Sequence, residues 1–126
     1  MRVALASLLV LLALVGCAGA SGTAGGGNPN VIGDQQLREM DPEGLTVIQV
    51  IQRLRPNWLR TRGTGSFGGG AAVPQAVMDG VPLGDFSELG GVSAREVRGI
   101  EFVSAGDATT RFGTGYPGGA ILVRTR

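Results

Sequence analysis

The chain has 126 residues, a formal net charge of +1, one cysteine, no histidine and 23 glycines, and each of its eleven basic residues is arginine. That length holds one small domain, and a lone cysteine excludes an internal disulfide. The lack of histidine removes the usual nucleophile and base pairs and most zinc sites, and eleven basic against ten acidic residues leave no electrostatic footprint for nucleic acid.

Residues 3–15 are an almost unbroken apolar run behind Met1-Arg2. A run of this length is too short for a spanning helix, which needs about 20 residues, so residues 1–16 read as a cleaved signal. Leu14-Val15-Gly16-Cys17 resembles the lipobox of bacterial lipoproteins, which implies cleavage before Cys17 and acylation of its thiol, palmitate being a typical chain. Each buried methylene contributes about 0.8 kcal/mol, so two or three chains anchor stably where one does not. Ala18 stands where, in well-studied bacteria, an aspartate retains lipoproteins at the inner membrane. The expected location is therefore the cell envelope, on the periplasmic face of the outer membrane.

Residues 17–30 join that cysteine to a glycine-, alanine- and serine-rich stretch whose composition predicts a flexible tether with a reach of roughly 20 Å. The domain is expected over residues 31–126. Val31 and Ile32 predict a short edge strand, and Asp34 is placed to cap a brief helix through Met40. Asp41 followed by Pro42 predicts the N-cap and first position of a longer helix, with Val47, Ile48, Ile51 and Leu54 on its inward face. Pro56 ends or kinks that helix, and Trp58-Leu59 carries a further turn.

Residues 61–72 are glycine-rich and predict a loop. Ala76-Val77-Met78, Asp79-Gly80 and Val81 to Leu83 predict a hairpin with a two-residue turn. A helical turn is expected over residues 86–89, and Ser93 with Glu96 has capping-box spacing. Ile100 to Val103 and Ala120 to Val123 predict two strands, the second apolar throughout and so expected to be buried on both faces. Between them, residues 106–113 predict a short helix with Asp107 near its start and Phe112 packed inward. The sum is a small α+β domain with a short mixed sheet, two to three short helices and glycine-rich loops.

Three segments together resemble the plug domain of TonB-dependent outer-membrane receptors. They are Val47 to Leu54 with Arg55-Pro56, then Val77-Met78-Asp79-Gly80-Val81, then Val97 to Val103 leading through Gly106, Phe112-Gly113 and Gly118-Gly119 to Ala120-Ile121-Leu122-Val123-Arg124-Thr125. The chain departs from the receptors at Phe112, where tyrosine is common, and at Ile121 or Leu122, where asparagine is common. A receptor barrel needs many strands of roughly ten residues, so transport by this chain alone is not expected. The resemblance implies a plug-like domain whose partner is an outer-membrane receptor barrel or TonB-type machinery.

No catalytic constellation and no cofactor motif is present. Asp79, Asp85 and Glu88 are the nearest approach to a metal site, but turn formation accounts for Asp79 and solvent exposure for Glu88. The glycine-rich stretch lacks the lysine of a phosphate loop. Arg53, Arg55, Arg60 and Arg62 cluster where cations favour a helix C-terminus, and Arg60 and Arg62 double as candidate contacts for acidic lipid or protein. Trp58 reads as a core lid or a membrane anchor, and Phe67 and Tyr116, set among glycines, as adaptable contact residues or plain loop residues. The expected function is a lipid-anchored, non-enzymatic interaction module; the rival is a periplasmic lipoprotein that binds a small ligand or glycan.

Overall fold

The computed structural model describes residues 27–61 and 72–126. Cys17, Arg62 and Phe67, with the signal, most of the tether and the glycine-rich loop, lie outside the described residues. Five strands, β1 (Val31–Ile32), β2 (Gln75–Met78), β3 (Val81–Asp85), β4 (Val97–Val103) and β5 (Ala120–Thr125), form one mixed sheet in the order β1-β4-β5-β2-β3. Every neighbouring pair is antiparallel except β2 with β5. Among the described residues it is accompanied by the helices α1 (Asp34–Glu39), α2 (Val47–Leu54) and α3 (Ala105–Phe112), with 3₁₀ turns at Pro56–Leu59, Phe86–Gly91 and Ala94–Glu96. This is the α+β class that the sequence predicts.

The most apolar strand takes the central place. Ile121 and Val123 of β5 face one side of the sheet beside Ile100 and Phe102 of β4 and Ala76 of β2, and all five are buried. Leu37 of α1, Val47, Val50 and Ile51 of α2, Trp58 and Leu89 close over them. Trp58 is 2% exposed and stacks on Phe102 with ring centroids 5.8 Å apart, a pairing that adds about 0.5–1.5 kcal/mol beyond the area it buries. Among the described residues the opposite side is covered far less: its buried cluster is Val77, Val103, Ala108 and Ala120, with Tyr116 and Leu122 half-buried against it.

Several local expectations hold. Asp79 and Gly80 both have positive φ, 48° and 85°, as a primed two-residue hairpin turn requires. Helix α2 ends at Leu54, before Arg55, which leaves the helical region (φ −143°, ψ 58°) as a residue preceding proline tends to, and Pro56 opens the 3₁₀ turn that carries Trp58 inward. Pro82 and Gly84 sit in edge strand β3, next to a register shift, where a missing N–H is tolerated and the edge resists further pairing.

The helix starts differ from expectation. Asp41 has φ 52°, Pro42 accepts the Leu45 N–H, and α2 begins only at Val47. Its cap is Thr46, whose hydroxyl accepts from the Gln49 N–H at 3.4 Å while Gln49 Oε1 accepts from the Thr46 N–H at 2.9 Å, a reciprocal capping box. Asp34 is likewise not a cap. Gly33 holds that position, and the Asp34 carboxylate instead meets Arg38 at 2.6 Å and Arg126 at 2.7 Å. Its Oδ1 is shut off from solvent, and Arg38 and Arg126 together hold the Asp34 carboxyl below the usual aspartate value. Ser93 makes no side-chain cap bond; the backbone around it docks on the entry to α2, Val47 N–H to Val92 O and Ala94 N–H to Leu45 O, both 2.9 Å.

Candidate functional site

The thinly covered side of the sheet carries the candidate site. Strand pairing sets its rows: Val31, Glu101, Leu122 and Val77 lie across β1, β4, β5 and β2 in register, and Gly99 stands beside Arg124 in the next row. Among the described residues, helix α3 and the segment after it cover one end of this face, through Ala108 and Tyr116. The Ser104 hydroxyl starts the helix, accepting from the Asp107 N–H at 3.3 Å and donating to Asp107 Oδ2 at 2.7 Å, and Ala108 is its buried contact.

Phe112 does not pack inward as the helical period predicts. It is 40% exposed because it is the last helical residue, and its ring instead leans on Tyr116 with centroids 5.4 Å apart. Between Phe112 and the Asp79-Gly80 turn runs a groove of about 370 Å³. Val77 and Leu122 give it an apolar floor, and Phe112, Arg98 and Arg124 stand around it. A smaller hollow of about 50 Å³ continues past Leu122 and Arg124 toward Val31 and Glu101.

The charges on this face are unevenly matched. Glu101 serves both Arg124, at 3.3 Å, and Arg111, at 3.6 Å. Asp79 Oδ1 accepts from the Thr125 N–H at 3.0 Å and Oδ2 from the Thr125 hydroxyl at 2.6 Å. The Thr125 hydroxyl and then the Thr125 N–H hold the Asp79 carboxyl below the usual aspartate value, with the Arg98 charge assisting. Among the described residues Arg98 has no ion pair within 4 Å.

The residues singled out from sequence are therefore dispersed. Tyr116 reaches the open face, while Trp58 is sealed in the main core and leaves no ring surface for a partner. Arg60 is exposed at the end of the 3₁₀ turn. Arg55 is spent on structure, donating to Pro29 O at 3.0 Å and Leu54 O at 2.9 Å. Asp85 caps a 3₁₀ turn by accepting from the Ser87 N–H, and no group of three or more acidic side chains among the described residues is placed to hold a metal ion. Sequence reasoning overlooked Arg98, Arg124, Val77 and Leu122 as a surface, because only the parallel β2–β5 register brings Val77 and Leu122 together.

No helix among the described residues is long and apolar enough to cross a membrane. Comparison with protein-family models, with curated proteins and with solved structures finds no match for this chain.

Proposed function

We propose that the chain is a lipid-anchored, non-enzymatic, plug-like interaction module of the cell envelope, and that it binds another envelope protein through the open face of its sheet. The observation that carries the reading is the groove between Phe112 and the Asp79-Gly80 turn, an apolar floor with an exposed aromatic wall on the less covered side of the sheet. Exposed aromatic and arginine side chains around an apolar centre are the composition that dominates binding energy at protein interfaces. The lipobox at Cys17 supplies the anchor, at the outer membrane facing the periplasm, and the plug resemblance supplies the class of partner, a receptor barrel or TonB-type machinery.

Photo-crosslinking residues at Phe112 and Tyr116 in living cells, with exposed Gln52 of α2 as the control position, test this. Discrete protein adducts at the first two positions and none at Gln52 are expected. Absence of adducts both at Phe112, which lines the groove, and at Tyr116 beside it overturns the reading. The groove volume also falls at the lower end of the range for small-molecule sites, about 300–1,000 Å³, which favours the rival of a ligand- or glycan-binding lipoprotein. A thermal shift with a chelate, vitamin or oligosaccharide that disappears in Phe112→Ser would replace the first reading with the second.

A further inference from the structure

The groove is short of hydrogen-bond acceptors. Arg98, Arg111 and Arg124 bring three guanidinium groups to this face, each with five N–H donors in a planar fork. Among the described residues the carboxylates placed against them are Glu101, divided between Arg111 and Arg124, and Asp79, whose two oxygens accept from Thr125 and which feels the Arg98 charge without an ion-pair contact. Arg98, which lines the groove, is left without an ion-pair partner among the described residues. Beside these donors lie the apolar floor of Val77 and Leu122 and the 40% exposed ring of Phe112.

Resting on the docking reading above, we infer that the groove takes a polypeptide segment in which an aspartate or glutamate stands next to a bulky apolar residue. The carboxylate supplies Arg98 with the ion-pair partner it lacks among the described residues and gives Arg124, which already donates to Glu101 at 3.3 Å, a further acceptor, in the bidentate geometry that guanidinium groups favour, and the apolar side chain covers Val77, Leu122 and Phe112. The open form of the groove suits a segment laid across it: a small ligand buries most of its surface in its pocket, whereas this groove opens to solvent along the sheet. Its volume of about 370 Å³ matches one or two side chains rather than the acyl chains of a lipid.

Phage-displayed dodecapeptides panned on the full chain test the inference. The expected enrichment is for Asp or Glu within two positions of Phe, Trp, Tyr or Leu. Binding of the best synthetic peptide, read by fluorescence anisotropy, should weaken at least tenfold in Arg98→Glu and in Phe112→Ser and stay unchanged in Arg53→Glu, an exposed cation of α2 outside the groove. Arg98→Gln, which removes the charge without inserting an opposite one, should show an intermediate loss and guards against misfolding of Arg98→Glu. Peptides without acidic residues that still depend on Phe112 would overturn the carboxylate requirement and leave the docking reading intact. No enrichment, or binding indifferent to both groove variants, would overturn the inference outright, while crosslinking at Phe112 and Tyr116 decides the docking reading separately. Vesicles of phosphatidylglycerol that bind a Cys17→Ser chain, and lose it with Arg98→Glu, would overturn it in favour of a lipid surface.

Discussion

Gly118 offers a sharp test of how β5 is seated. A Cβ added there would stand 2.3 Å from the carbonyl carbon and oxygen of Val73 and 2.7 Å from Pro74 N, whereas ordinary contact begins near 3.4 Å. The obstacle is backbone, so Gly118→Ala must push the approach to β2 away from β5 by about 1 Å. That displacement strains the Gln75 N–H to Gly119 O bond of 3.0 Å and the Phe86 N–H to Pro74 O bond of 3.2 Å. Two weakened backbone bonds cost about 2 kcal/mol, and overpacking adds about 1–3 kcal/mol, so the expected loss is about 4 kcal/mol. For a domain of this size, with total stability of about 5–14 kcal/mol, that is a large share. Urea unfolding followed by Trp58, the single tryptophan and a core residue, reads it directly. At roughly 1.5 kcal/mol per molar urea the midpoint should fall by about 2.5 M. Gly115→Ala meets open space at a φ outside the left-handed region, and it should stay within about 0.5 kcal/mol of wild type. A Gly118→Ala midpoint within about 0.5 M of wild type, with an unchanged slope, would refute this account of the β2–β5 approach.

Thr46→Ala removes one half of the capping box and should cost about 1 kcal/mol in the same assay; Asp41→Gly, which removes the side chain while suiting the φ of 52° at a position that is not the cap, should stay within about 0.5 kcal/mol of wild type. Thr125→Val removes the largest cause of the lowered Asp79 pKa. A folded-state value below the ordinary 3.8 means that stability is fully present above that pH and is lost as pH falls through the folded value. The wild-type urea midpoint should therefore drop more steeply than that of Thr125→Val on acidification below about pH 4, and equal slopes would dismiss the coupling. Cys17→Ser should release the protein from membranes into the soluble fraction of lysed cells, and persistent membrane association would exclude lipid as the anchor.

What could be read in advance follows the range of the interactions involved. The Asp79-Gly80 turn, the edge strand at Val31-Ile32, the halt at Pro56 and the apolar closing strand are dictated by neighbours within a few residues, and each lies where the residues imply. The start of α2 was legible too, since Thr46 and Gln49 have capping-box spacing, but Asp41-Pro42 presents a competing start signal. Position 41 adopts φ 52° and becomes part of a turn instead. Phe112 lies four residues after the buried Ala108 and so on the same helical face, yet at the helix end it has Tyr116 beside it and no sheet wide enough to cover it. The groove itself was not legible, because a parallel register between β2 and β5 and the partial reach of α3 are properties of the assembled sheet.

The unequal cover on the two sides of the sheet bears on how the proposal can be tested cleanly. The main cluster joins Trp58, Phe102, α1, α2 and one side of β2, β4 and β5, so most of the apolar burial that stabilises the domain, at roughly 25 cal/mol per Å², lies away from the groove. On the other side, the deeply buried residues are small or β-branched: Val77, Val103, Ala108 and Ala120. Arg98 is exposed, Phe112 is 40% exposed, and neither belongs to either buried cluster. Changing them should move stability by no more than surface substitutions do, about 0.5 kcal/mol. Leu122, half-buried under the second cluster, lacks this independence, and its truncation would alter packing and binding together. The separation makes Arg98 and Phe112 the positions at which a loss of binding can be assigned to the groove and not to the fold.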